Sequence, residues 1–89
     1  MKQAPIEPGQ VGRFLEPTTH WCDDDQRWVN ICKGDTALLL ARRPARVGSV
    51  YDVLLLRQRK KVWVNSKTIE SAERWAIVDK EELTDEASI

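Results

Sequence analysis

The chain has 89 residues, enough for one thin hydrophobic core and too few for a second domain. Its 14 basic and 14 acidic side chains cancel, and no apolar run approaches the roughly 20 residues that a membrane span needs. With one Phe and one Tyr, the four tryptophans Trp21, Trp28, Trp63 and Trp75 must supply much of the core or much of a binding face.

Residues 1–10, with Pro5, Pro8 and Gly9, read as an extended arm that hangs free or lies along the body of the fold. No apolar run follows the lone Lys2, so a secretory leader is not expected, and the cytoplasm of a host cell or a virion assembled there is the expected location. The body spans 11–78. VGRFLE, residues 11–16, is a short strand stopped by Pro17. PTTHWCDDDQRW, residues 17–28, shows neither helical nor strand period and reads as a long polar loop. WVNI leads into a tight turn at Lys33–Asp35, where Gly34 can take a positive φ.

TALLLAR, residues 36–42, and SVYDVLLLR, residues 49–57, are apolar strands joined through RPARVGS. After the QRK turn, KVWVN returns as a strand over 61–65, completing a meander. SKTIES, residues 66–71, is too short for a regular helix and too polar for a strand, which predicts a 3₁₀ turn with Ile69 as the apolar peg. ERWAIV, residues 73–78, is the last strand. Residues 79–89 carry five acids against one Lys and form a surface helix or an acidic tail. Five short strands in this order close a small all-β barrel, with the 3₁₀ turn before the last.

At this point the residues resemble the SH3-type barrel. VNICKGDTALLL, residues 29–40, is similar to that family's apolar stretch, Lys-Gly-Asp turn and apolar strand, and Asn65, Ser66, Lys67, Thr68 and Ile69 stand where its 3₁₀ turn follows the fourth strand. The resemblance covers 11–78 and implies a five-stranded barrel, a fold with many unrelated roles. It departs where proline-rich peptides would bind. VGRFLEP replaces the aromatic-rich first motif, and Asn65 and Thr68 replace the Pro and Tyr of the 3₁₀ turn, so a groove for a polyproline II helix is not expected. The GD turn and the Ile69-Glu70 pair also resemble small proteins of tailed bacteriophages.

No enzyme motif is present. A single His, with no phosphate loop and no nucleophile elbow, gives no constellation for catalysis, and no cofactor is expected. Cys22 and Cys32, with nine residues between them, read as free thiols in a reducing compartment. A zinc site from His20, Cys22, Cys32 and one of Asp23, Asp24 or Asp25 would have only one of the two short ligand pairs such sites use, and no metal is expected. The three aspartates lack the spacing and glycine of a calcium loop and read as a solvated tip.

Two features point to binding. Arg42, Arg43 and Arg46 form one basic group and Arg57, Arg59, Lys60 and Lys61 another, but a strand separates them by roughly 20 Å at about 3.3 Å per residue. That exceeds the Debye length of about 8 Å, so they act as two small patches whose first partners are the chain's own acids. The leucine runs 38–40 and 54–56 are apolar on both faces of their strands, so one face fills the barrel and the other seeks a cover. Leu38, Leu40, Leu54 and Leu56, extended by Trp21 and Trp28, are the candidate protein-docking residues, and Trp63 and Trp75 the candidate core. The expected function is a non-enzymatic interaction or assembly module that meets a protein partner or its own copies, in the setting of a phage accessory or virion component. Nucleic-acid binding through 42–46 and 57–61 is the alternative.

Overall fold

The structure, a computed structural model, describes residues 6–78. It is one curled antiparallel sheet of seven strands, a half-barrel: β1 (Val11–Phe14), β2 (Thr18–Cys22), β3 (Arg27–Ile31), β4 (Thr36–Pro44), β5 (Ser49–Leu55), β6 (Lys60–Asn65) and β7 (Trp75–Val78). The order across the sheet is β3-β2-β6-β5-β4-β1-β7. The all-β class and the expected meander β4-β5-β6 are present. The acidic segment 79–89 and residues 1–5 of the arm lie outside the described residues.

The five-strand count is corrected to seven, because residues 17–28 are not a loop. They form most of a hairpin, β2 on β3, in register from Thr18↔Ile31 to Cys22↔Arg27, with the turn at Asp23–Gln26 closed by Gln26 N–H to the Asp23 carbonyl at 3.3 Å. The alternation was hidden by residue type. Thr18, His20 and Cys22 share one face, that of buried Val29 and Ile31, while Thr19 and Trp21 face the other way. An inward His and Cys do not read as apolar, yet they fill that role here.

The 3₁₀ expectation is also corrected. Ser66–Ile69 is one turn of α-helix, α1, closed by Glu70 N–H to the Ser66 carbonyl at 2.9 Å. The Asn65 side chain accepts from Lys67 N–H at 2.7 Å and so caps the turn. Ile69 is its one buried residue, as its place in SKTIES implies.

The core lies inside the curl. Phe14, Ile31, Leu39, Val53, Leu55, Val62, Val64, Ile69 and Trp75 are each at most 2% exposed. A bulge between Leu39 and Ala41 lets β4 serve both halves of the sheet. Up to Leu38 it pairs with β1 on one side and β5 on the other, and beyond the bulge with β5 alone. On the inner face of β1, Gly12 sits opposite Ala37 and Ile77 with the Trp75 ring directly against it. From the arm, Ile6 packs on the core, and residues 9 and 10 exchange backbone hydrogen bonds with Leu39 at 2.7 and 2.8 Å.

Gly34 stands at φ +93, and Asp35 N–H to the Cys32 carbonyl at 3.1 Å closes its turn. The Asp35 carboxylate locks the turn from both sides, accepting from Cys32 N–H at 3.0 Å and from Arg57 Nε and Nη2, each at 3.0 Å. The Arg57 guanidinium holds the Asp35 carboxyl below the ordinary carboxylate range.

His20 gives the fold a pH dependence. Its ring faces Phe14, 6.1 Å between centroids, and Nε2 lies 3.2 Å from Thr18 Oγ1. Burial lowers its pKa from the ordinary 6.5, because the imidazolium loses hydration inside the sheet. Below about pH 6.5 the unfolded chain therefore binds more protons than the folded one, so stability falls with pH until the lower folded value is passed. Urea midpoints of the wild type should drop from about pH 7 to about pH 5. His20→Gln should flatten that slope, and equal slopes would refute the assignment.

Candidate docking surface

The outer face of the sheet carries an aromatic row. In β6, Val62 and Val64 are wholly buried, so strict alternation turns Trp63 outward. The register then places Trp63 beside Asp52 of β5 on one side and Trp21 of β2 on the other, and Trp21 beside Trp28 of β3. Cross-strand partners share a face, so the line Trp28-Trp21-Trp63-Asp52-Ala41 crosses five strands. The Trp21 and Trp28 rings meet edge to face, 5.4 Å apart at 70°. Trp28 is 65% exposed, a large apolar surface to leave in water.

Trp63 is thereby corrected from core to surface, where it is half-buried, while Trp75 is core at 1% exposure and meets Phe14 edge on. The Arg43 guanidinium covers the Trp63 ring at 5.1 Å from its centroid and is held there by Asp52, 2.8 Å away. Arg42 lies 6.0 Å from the Tyr51 ring centroid.

The leucines form a second, parallel row. Leu38 and Leu54 are direct partners, flanked by Val11 and Lys61, and this neighbourly cover leaves them half-buried. Leu56, just past β5, is half-buried too, and Leu40 at the bulge is 39% exposed. The leucine face is therefore closed largely by its own cross-strand contacts, and the weight of the apolar surface moves to Trp28. Val47, 86% exposed at the tip of the β4–β5 hairpin, was not legible as a surface residue, because its turn reads only as RPARVGS.

The two basic groups sit at opposite ends of β5, as the spacing predicts. Arg42, Arg43 and Arg46 belong to the β4–β5 hairpin, where Arg42, Arg43, Pro44 and Ser49 line an open cleft of about 280 Å³. Arg57, Arg59, Lys60 and Lys61 belong to the β5–β6 turn, where Arg57 is paired with Asp35 and Lys60 with Asp25. Lys60 holds the Asp25 carboxyl below its ordinary range. Asp23 is occupied by Gln26 Nε2 at 3.0 Å and by the Trp21 indole N–H at 3.4 Å. Among the described residues Asp24, Arg46, Arg59 and Lys61 have no ion-pair partner.

The candidate zinc ligands do not converge. His20 and Cys22 point into the curl, whereas Cys32 is exposed at the end of β3 beside an open groove of about 430 Å³. Among the described residues no three of His, Cys, Asp and Glu are grouped to hold a metal. No described helix is long and apolar enough to cross a membrane. Comparisons of the chain with protein-family models, with curated proteins and with solved structures find no significant match.

Proposed function

We propose that this chain is a non-enzymatic docking module, an SH3-like barrel that meets a protein partner through the outer face of its sheet and not through a proline-rich-peptide groove. The observation that carries the reading is the aromatic row ending in Trp28. Its rigid rings offer large contact area at low entropy cost, as in the buried centres of interfaces. Asn65, in the place of the groove-forming Pro, is occupied in capping α1. The resemblance in the GD turn and Ile69-Glu70 adds a phage accessory or virion component as the setting.

The second reading, nucleic acid, is favoured by the arginine-lined cleft at Arg42 and Arg43. It is weakened by separation, because the most exposed ring, Trp28, stands on the edge strand β3, with β2 and β6 between it and the β4–β5 hairpin. Capture from nuclease-treated host extract separates them. A protein held by the wild type should be bound about 30-fold or more weakly by Trp28→Ala, since truncating a central interface aromatic removes at least about 2 kcal/mol. Retention that vanishes on nuclease treatment, or that ignores Trp28→Ala, would overturn the docking reading.

A further inference from the structure

The leucine row of the outer face begins where the chain leaves the sheet. Register sets Val78, Val11, Leu38, Leu54 and Lys61 side by side across β7, β1, β4, β5 and β6. They face outward, because Ala37 and Leu39 on either side of Leu38 fill the inside of the curl. Beside this row run Ala76, Arg13 and Thr36, with Leu56 N–H bonded to the Thr36 carbonyl at 3.0 Å. The two rows make one apolar strip with a cation in each, Lys61 and Arg13, and neither row holds an acid. Val78 is only 7% exposed although β7 has a strand on one side alone, so the strip is covered at the edge where the chain departs. From the arm, Ile6 packs against the core instead.

We propose that residues 79–89 run from Val78 across this strip, with Leu83 seated over Leu38 and Leu54 and the carboxylates of Asp85 and Glu86 at Lys61. Length fits. Four strand spacings of about 4.8 Å put Lys61 about 19 Å from Val78, and an extended chain advances about 3.3 Å per residue. Leu83, five residues past Val78, therefore reaches the Leu38 and Leu54 pair, and Asp85 and Glu86 reach Lys61. Charge fits as well, since the segment carries five acids against one Lys and the strip carries cations alone. Lys61 has no ion-pair partner among the described residues, and Leu38 and Leu54 are half-buried, so each still has apolar surface to bury. The cover divides the outer face, closing the leucine strip within the chain and leaving the aromatic row open. Trp28 stands on β3, at the opposite edge of the sheet from β7.

Zero-length coupling with a water-soluble carbodiimide tests the arrangement on the full chain. The sample is an equal mixture of isotope-labelled and unlabelled chains at low concentration. Peptide mass spectrometry should place amide links between Lys61 Nζ and Asp85 or Glu86 within one chain, with a yield that falls as salt rises. Leu83→Ser should cut that yield about tenfold, because it removes the apolar anchor. Leu83 lies outside the seven strands, so circular dichroism should report an unchanged fold. Links that join labelled to unlabelled chains mean that another copy supplies the cover, and overturn the proposal. It is overturned equally by links spread evenly over Lys33, Lys60, Lys61 and Lys67, by a yield that Leu83→Ser leaves unchanged, and by no link to Lys61 at all. The docking reading fails separately, because loss of a captured partner on Trp28→Ala would stand without the Lys61 links.

Discussion

Replacing Gly12 by alanine is expected to unfold the domain or to lower its stability by about 3 kcal/mol or more, the upper end for overpacking a core. The reason is contact and not conformation. β1 lies between β4 and β7, and the lack of a side chain at Gly12, opposite Ala37, leaves room for the Trp75 indole against the strand. A Cβ on residue 12 would fall well inside van der Waals contact with Cζ2 and Cε2 of that ring. Neither side can withdraw. Trp75 is 1% exposed and set edge on against Phe14 at 5.0 Å and 78°, while β1 is hydrogen-bonded on both edges. Urea unfolding followed by circular dichroism measures the loss, and Trp75→Leu should recover part of it in the double variant by making room. Additive losses would refute the steric account.

Ile69→Ala is expected to lower stability by about 2–5 kcal/mol, as for other fully buried aliphatic residues cut back to alanine. A single four-residue turn has no stability of its own, because helix nucleation costs more than one hydrogen bond returns. α1 therefore holds its place through packing, and Ile69 at 0% exposure is the side chain that packs. The cap is a smaller term. Asn65→Ala removes one side-chain acceptor and should cost about 1 kcal/mol. Urea midpoints should rank wild type, Asn65→Ala and Ile69→Ala in that order, and a reversal would mean that the cap, not the peg, secures the turn.

Legibility in the sequence followed the chemistry of each residue. TALLL, SVYDVLL and KVWVN declare themselves as strands because Val and Leu at alternate or continuous positions have one physical use, and Gly34 declares its turn because φ +93 suits few other residues. The β2–β3 hairpin was not legible, since His20 and Cys22 do inside what Val and Ile do elsewhere. Trp63 reads as core because strand residues surround it, although Val62 and Val64 on either side set its direction outward. Of the candidate surface, Trp21 and Trp28 could be named from their polar surroundings. Their union with Trp63 and Arg43 could not, because it depends on the single register contact Trp21↔Trp63 between strands some forty residues apart.

The pairing of β1 with β7 also sets the order in which the molecule can assemble. The partner of the first strand is the last, so Phe14 acquires its Trp75 neighbour only when some sixty intervening residues have been brought round. Meander strands β4, β5 and β6 can zip locally, but β1 remains half-paired until β7 arrives. A high contact order of this kind places folding in the range of milliseconds to seconds. On the ribosome, the domain stays incomplete until Val78 has left the exit tunnel.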